Sequence, residues 1–264
     1  MKKYLVVGNP IEHSLSPQIH NHWIKKNNIG AIYQKKLIQE NDIPEIISFL
    51  REGTLSGINI TVPFKNNFIE HVDSISKEAK ETNSVNTIYK VENKLVGHNT
   101  DIAGFELAIR HCKYDTSKKT ALIIGAGGVV SSLVVALNRM NIEKIYIKNR
   151  SIEKAENLKK RFPEINLVNW DQKVETDMII NATSVGLKPG EKLDINIESF
   201  GENKFFYDVI YNPKQTNFLL DAKNYGNRTE NGKMMFIYQA HQAFSVWHKI
   251  FPEIDNDTIK ILDT

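Results

Sequence analysis

Residues 118–151 read KKTALIIGAGGVVSSLVVALNRMNIEKIYIKNRS, and this stretch constrains the fold more than any other. Ala121 to Ile124 form a short apolar run that suits a buried strand. Gly125-Ala126-Gly127-Gly128 breaks it. Apolar residues then recur at 130, 133, 134 and 137, the period of a helix, and a second apolar run follows at Ile145–Ile147. Strand, glycine turn, helix and strand in succession are the pattern of an α/β fold with a mostly parallel sheet. The turn suits a dinucleotide pyrophosphate, because glycines let backbone approach a ligand and a helix N-terminus favours negative charge. Val130 stands where a third small residue is usual, an expectation of slightly wider helix–strand spacing.

The end of the second strand selects between cofactors. An NAD site places Asp or Glu there for the ribose hydroxyls. This chain has Lys148-Asn149-Arg150-Ser151 and no acid before Glu153. Arg150 can pair bidentately with a 2′-phosphate and stack on adenine, and Lys154 adds charge one turn later. The expected cofactor is NADP.

The rest of the chain alternates strands and amphipathic helices, the pattern of an α/β protein. Expected strands are Tyr4–Val7, Ala31–Leu37, Gly57–Thr61, Val85–Tyr89, Lys94–Gly97, Met178–Asn181 and Phe205–Val209. Helices are expected at Ser16–Lys26 and Ile43–Arg51, the first with Ser16 as N-cap and Pro17 at N1. A last helix is expected from Met235 to Phe251, with apolar positions 237, 240, 244, 247 and 251.

One strand carries unusual polarity. In GINITVPFKNNF, residues 57–68, Asn59 and Thr61 share one face while Ile58, Ile60 and Val62 share the other. Pro63 ends the ladder and Lys65 follows. A lysine beside an aspartate stays protonated and can donate a proton. The matching acid is expected to be Asp101, at a strand-to-helix junction in GHNTDIAGF. Asn86, in SVNTI, adds an uncharged donor and acceptor. Ser14 and Ser16 flank a helix start, a suitable place for a carboxylate.

Composition excludes other classes. The formal net charge is +3, too small to argue for a nucleic-acid or membrane partner. No stretch approaches the ~20 apolar residues of a membrane span. Cys112 is the only cysteine, so no internal disulfide forms. The start of the chain has too short an apolar run for a signal peptide, so the cytoplasm is expected. No metal is expected: His20 and His22 point different ways from a helix, and no Cys or carboxylate cluster completes a site.

Together GNPIEHSLSP, NITVPFK, NSVNTI, GHNTDIAGF, GAGG, NRS, NATSVGL, DVIYNP and YQAHQAF resemble the shikimate dehydrogenase family, in the family's order over nearly the whole chain. The resemblance implies an N-terminal α/β substrate domain and a Rossmann-like NADP-binding domain. The first is expected over residues 1–101, completed by 236–264, and the second over 102–235. The last helix is implied to pack back on the N-terminal domain, with substrate in a cleft beside NADP. The implied activity is reversible NADPH-dependent reduction of 3-dehydroshikimate to shikimate, in chorismate and aromatic amino-acid biosynthesis, by a monomer or homodimer.

Carried over by motif, Lys65 and Asp101 are the implied catalytic pair. Ser14 and Ser16 are implied donors to the substrate carboxylate, with Tyr211 nearby. Asn59, Thr61, Asn86 and Gln239 bind the ring hydroxyls or complete that pocket. The implied cofactor contacts are Gly125, Ala126, Gly127, Gly128 and Val129, then Asn149, Arg150, Ser151 and Lys154, then Thr183, Ser184, Val209 and Gly232. Lys154 stands where an Arg is common, Leu187 where Met is common, and Lys233 in place of an apolar residue. Two alternatives stay open: a quinate/shikimate dehydrogenase of broader substrate or NAD specificity, and a catalytically silent metabolite sensor.

Overall fold

A computed structural model describes residues 1–263. The chain divides into two units, Met1–Gly104 with Ile237–Thr264, and Phe105–Phe236. In the first, β1 (Lys2–Gly8), α1 (Ser16–Lys26), β2 (Ala31–Leu37), α2 (Ile43–Glu52) and β3 (Gly57–Ile60) follow one another. Then come β4 (Ser74–Ile75), α3 (Lys77–Thr82), β5 (Thr87–Val91), β6 (Lys94–His98) and α4 (Asp101–His111), which leads into the second unit. The sheet order is β2-β1-β3-β5-β6-β4. β1 pairs parallel with β2 and β3, while β5 runs antiparallel to β3 and β6. The Glu92-Asn93 turn joins the β5–β6 hairpin, with Glu92 at φ 54°.

On one face of this sheet, α2 buries Ile43, Ile46, Ile47 and Leu50 against Ile58, Ile60, Val85 and Ile88. Each such side chain contributes roughly 1.5–3 kcal/mol of hydrophobic stabilisation.

The second unit contains β7 (Thr120–Ile124), α5 (Val130–Arg139), β8 (Lys144–Lys148), α6 (Ile152–Arg161), β9 (Asn166–Val168) and β10 (Met178–Asn181). β11 (Phe205–Asp208), α7 (Asn217–Asn224) and β12 (Arg228–Glu230) complete its sheet, and α8 (Lys233–His248) returns the chain to the first unit, where α9 (Asn256–Lys260) ends it. The order β12-β11-β10-β7-β8-β9 is wholly parallel. Counted within the unit it reads 6-5-4-1-2-3, the doubly wound arrangement that binds ligands at the carboxyl ends of its strands.

The C-terminal helix differs from expectation at both ends. It starts at Lys233 and stops at His248, because Lys249 adopts φ 56° and Pro252 follows. Ile237, Ala240 and Phe244 are fully buried, but Phe251 lies beyond the helix and is 77 % exposed. Within the first unit, Trp247 of α8 packs on Tyr4 at 4.9 Å and donates from Nε1 to Ile88 O at 3.0 Å. Gly57 provides the space, since a Cβ there would lie 2.3 Å from Trp247 Nε1. At the other end of the first strand layer, Ser16 is the first helical residue and not the N-cap. Leu15 occupies the cap position, and Gln18 N–H donates to Leu15 O.

Candidate active site

In the first unit the polar residues of three strand ends converge. Asn59 sits on β3, Asn86 immediately precedes β5, and Asp101 opens α4 after β6. β3 carries Asn59 opposite Thr87 of β5, so the two strands bring their polar side chains together. The strand ends at Ile60, and the turn through Pro63 carries Lys65 back, its carbonyl accepting from Val85 N–H at 2.9 Å.

Lys65 Nζ donates to Asp101 Oδ2 at 2.5 Å, and the side chains are only 12 % and 8 % exposed. Asn86 Nδ2 donates to Asp101 Oδ1 at 2.8 Å. Each carboxylate oxygen therefore has its own donor, which leaves the ammonium two further N–H groups to offer. Asn99 fixes the acid from the backbone side: its Oδ1 accepts the N–H of Asp101 at 3.0 Å and of Ile102 at 3.4 Å. The helix start is thus capped by Asn99, and Asp101 is free to face Lys65.

Asn59 is buried, and its amide is engaged within the protein. It accepts from Tyr33 OH at 2.7 Å and donates to Asn86 O and Thr87 Oγ1 at 3.1 and 2.9 Å. Thr61 is half-buried one residue past the strand, its backbone N–H on Val7 O at 2.9 Å. Ser14 Oγ donates to Ser16 Oγ at 3.2 Å at the opening of α1. Gln239 is half-buried on α8.

The expected cofactor residues lie in the second unit, in the segments that follow β7, β8, β10, β11 and β12, with Lys154 in the first turn of α6. Gly125 has φ +119°, and a Cβ on it would lie 2.9 Å from Ala182 O, so this turn and the loop after β10 require glycine to approach. A Cβ on Gly127 or Gly128 would meet nothing within 4 Å. Those two glycines leave the mouth of the turn open ahead of α5, and Val130 behind them is fully buried. Ala126 and Val129 complete the turn, half-buried. Gly125 N–H donates to Lys148 O at 2.8 Å, which ties the turn to the end of β8. There Asn149 Nδ2 donates to Ser151 O at 2.7 Å, Ser151 caps α6, and Arg150 and Lys154 are exposed. No acidic residue stands between 148 and 152. Backbone open to an anion, a free guanidinium and no competing carboxylate fit a phosphorylated dinucleotide.

The loops beyond β10 and β11 are joined by a buried carboxylate. Asp208 accepts from Asn181 Nδ2 at 3.1 Å, Ile210 N–H at 3.0 Å and Thr216 Oγ1 at 2.6 Å. Asn181 Oδ1 in turn accepts from Thr183 N–H and Oγ1 at 3.0 and 2.7 Å. Burial pushes the Asp208 carboxyl up to about 6, against the lowering effect of these donors. Thr183 and Ser184 thus hang from the same anchor as Val209. Gly232 meets that segment directly: its N–H donates to Ile210 O at 3.0 Å, and a Cβ would lie 2.1 Å from Val209 O. Tyr211 is in this unit too, its ring 4.3 Å from Phe236.

Reading residues alone missed Tyr33, Thr87, Asn99, Asn181 and Asp208. For Thr87 a signal existed, since a strand that pairs with Asn59 puts a hydroxyl opposite the amide. Among the described residues no three His, Cys, Asp or Glu side chains form a group that could hold a metal ion, and no helix is long and apolar enough to cross a membrane.

The family model for the shikimate dehydrogenase substrate binding domain matches residues 6–88, and that for shikimate / quinate 5-dehydrogenase matches 106–192. A shikimate dehydrogenase (NADP(+)) of Pelagibacter ubique is 54% identical over 262 residues, 99% of each chain. One from Caldicellulosiruptor saccharolyticus is 36% identical over 95% of this chain and 93% of its own. Among solved structures, shikimate 5-dehydrogenase of Thermus thermophilus, in complex with NADP(H) and shikimate, superposes with a TM-score of 0.91 at 30% identity, covering 100% of this chain and 99% of that one. The chain belongs to the shikimate dehydrogenase family.

Proposed function

We propose that the protein is an NADP-dependent shikimate dehydrogenase that interconverts 3-dehydroshikimate and shikimate. The observation that carries this reading is the buried Lys65–Asp101 ion pair, 2.5 Å long and steadied by Asn86. When bound, NADPH supplies a hydride to the ring carbonyl carbon. Lys65 faces the oxygen on which negative charge then grows, stabilises that charge and gives it a proton from Nζ. Asp101 holds Lys65 in place and accepts a hydrogen bond from the neighbouring ring hydroxyl. In the reverse direction Lys65 takes the proton back.

Ser14, Ser16 and Tyr211 are assigned to the substrate carboxylate. Thr61 and Gln239 are assigned to the ring hydroxyls, and Asn59 and Asn86 complete that pocket. Holding both reactants in register supplies much of the rate, since oriented reactants reach effective molarities of roughly 10⁵ M or more.

The turn at 125–129 and the start of α5 are assigned to the pyrophosphate. Arg150, Ser151 and Lys154 take the 2′-phosphate, with Asn149 shaping their loop. Thr183, Ser184, Val209 and Gly232 line the nicotinamide end. Residues 1–101 with 236–264 then form the substrate domain and 102–235 the NADP domain, in a cytoplasmic monomer or homodimer. Quinate is the second reading, favoured by the match of residues 106–192 to a model that covers both substrates.

The test is Lys65→Ala. Loss of proton donation and charge stabilisation should lower kcat by about 10²–10⁴, while shikimate affinity by titration falls less than about tenfold. Near-normal kcat removes Lys65 from the chemistry.

A further inference from the structure

Behind Asp101 a line of buried hydrogen bonds runs through the sheet of the first unit. It starts at Tyr33 on β2 and crosses Asn59 on β3, Thr87 on β5 and Asn86, ending on Asp101. Tyr33 is 1 % exposed, Thr87 0 % and Asn86 2 %. These groups are shielded from bulk solvent.

The direction of every donor in the line is fixed by groups that have no choice. Asn59 Nδ2 faces the carbonyl of Asn86 at 3.1 Å, and a carbonyl only accepts, so the Asn59 amide cannot be flipped. Its Oδ1 therefore accepts from Tyr33 OH, and its second N–H donates to Thr87 Oγ1. At the other end Thr100 N–H donates to Asn86 Oδ1 at 2.9 Å, and a backbone N–H only donates, so the Asn86 amide cannot be flipped either. The Thr87 hydroxyl, accepting from Asn59, gives its single proton to Asn86 Oδ1 at 3.0 Å. The Asn86 amide is left with its N–H groups turned to Thr100 Oγ1 and Asp101 Oδ1, at 3.0 and 2.8 Å.

We infer that Thr87 is a positioning residue for the Lys65–Asp101 pair: its hydroxyl, fed by Asn59 and Tyr33, joins the N–H and hydroxyl of Thr100 in holding Asn86 Oδ1, so that an amide N–H stays on the Asp101 carboxylate. The inference rests on the proposed role of that pair. Thr87 itself touches neither Lys65 nor Asp101 by any bond in the line. Its influence passes through Asn86, and the Asp101 oxygen that Asn86 occupies is the one Lys65 does not use. If Asn86 turns, Asp101 can swing away from Lys65, and the ammonium leaves the position where it meets the substrate oxygen.

The experiment compares Thr87→Val, which keeps shape and loses the hydroxyl, with Thr87→Ser, which keeps the hydroxyl and loses a methyl. Both are assayed with shikimate and NADP⁺, and their thermal midpoints and circular dichroism are recorded. Thr87→Val should lower kcat about tenfold, the loss of about 1.4 kcal/mol from the transition state, with the KM for shikimate within about threefold of native. Thr87→Ser should recover to within about twofold. A second readout needs no turnover: the Asn86 side-chain amide protons should exchange slowly with solvent in the native chain and in Thr87→Ser, and quickly in Thr87→Val. If Thr87→Val does not fold, Tyr33→Phe carries the test, because it removes one atom at the far end of the line. Its kcat should fall about threefold with KM held. Unchanged kcat in a folded Thr87→Val or Tyr33→Phe overturns the inference, as does a Thr87→Ser enzyme as slow as Thr87→Val. A native chain that does not turn over shikimate with NADP⁺ overturns the proposed function and this role with it; a native chain that does, beside an unaltered Thr87→Val, overturns the positioning role alone.

Discussion

Replacing Gly57 with alanine sets a methyl group against a rigid ring. The new Cβ would lie 2.3 Å from Trp247 Nε1 and 2.8 Å from Cδ1 and Cε2. Ordinary contact needs about 3.4 Å or more, so the indole must retreat by about 1 Å. It has little room, being packed against Tyr4 at 4.9 Å, His20 at 5.5 Å and Tyr33 at 6.0 Å. The retreat breaks the 3.0 Å bond from Nε1 to Ile88 O. Overpacking costs roughly 1–3 kcal/mol, and an orphaned buried donor costs roughly another 1–3. Gly57→Ala should therefore destabilise the first unit by about 2–6 kcal/mol. Urea unfolding followed by circular dichroism and tryptophan fluorescence measures it. Trp247→Ala removes the whole ring that the new methyl meets, so adding Gly57→Ala to that background should cost under about 1 kcal/mol. Additive losses in the double variant, or a loss under about 1 kcal/mol in Gly57→Ala alone, would refute the account of how α8 seats on β3.

Acid should act oppositely on the two units. Burial holds the His20 imidazole down at about 3, and neither ring nitrogen has a hydrogen-bond partner. The unfolded chain binds that proton near 6.5, so the first unit loses stability as pH falls from 6.5 toward 3, by about 2 kcal/mol at pH 5. His248, held down to about 4 chiefly by burial, adds to the same loss. Asp208 is the reverse case: raised to about 6, it binds a proton in the folded state before the unfolded chain does at 3.8, so the second unit gains about 1 kcal/mol between pH 7 and 5. Amide exchange should show β1 losing protection over that interval while β11 keeps or gains it; parallel losses in both would contradict the assignments. On the cofactor side, Arg150→Ala should raise the KM for NADP⁺ about tenfold or more and leave that for NAD⁺ within about twofold, read from initial rates; equal effects on both would remove Arg150 from the 2′-phosphate.

What could be read from residues alone was local. The apolar period of α5 and the glycines before it locate a crossover, and the break at Pro63 locates Lys65 after a strand. The strand-to-helix junction in GHNTDIAGF points to Asp101 as its partner, and the family motifs imply the same pair; the 2.5 Å contact between them is a pairing across 36 positions that no periodicity encodes. Long-range pairings were hidden for the same reason. Thr87 looks like any strand threonine until β5 is known to run antiparallel to β3, which sets it opposite Asn59. Ser16 looks like a cap because a hydroxyl before proline usually is one, yet the chain enters the helix one residue earlier. Phe251 fits the apolar spacing of α8, but Lys249 has already turned the chain out of the helix. Asp208 reads as a strand-end acid, and only the folded chain shows Asn181, Ile210 and Thr216 closing on it.

Whether Lys65 and Asp101 carry the proposed chemistry is decided by following nicotinamide reduction by the purified protein with shikimate and with quinate, each with NADP⁺ and with NAD⁺. Rapid turnover is expected for shikimate with NADP⁺, and far slower reaction in the other three combinations. No turnover in any combination by a protein that still binds shikimate and NADP⁺ would contradict it and leave Lys65 and Asp101 without the chemistry assigned to them.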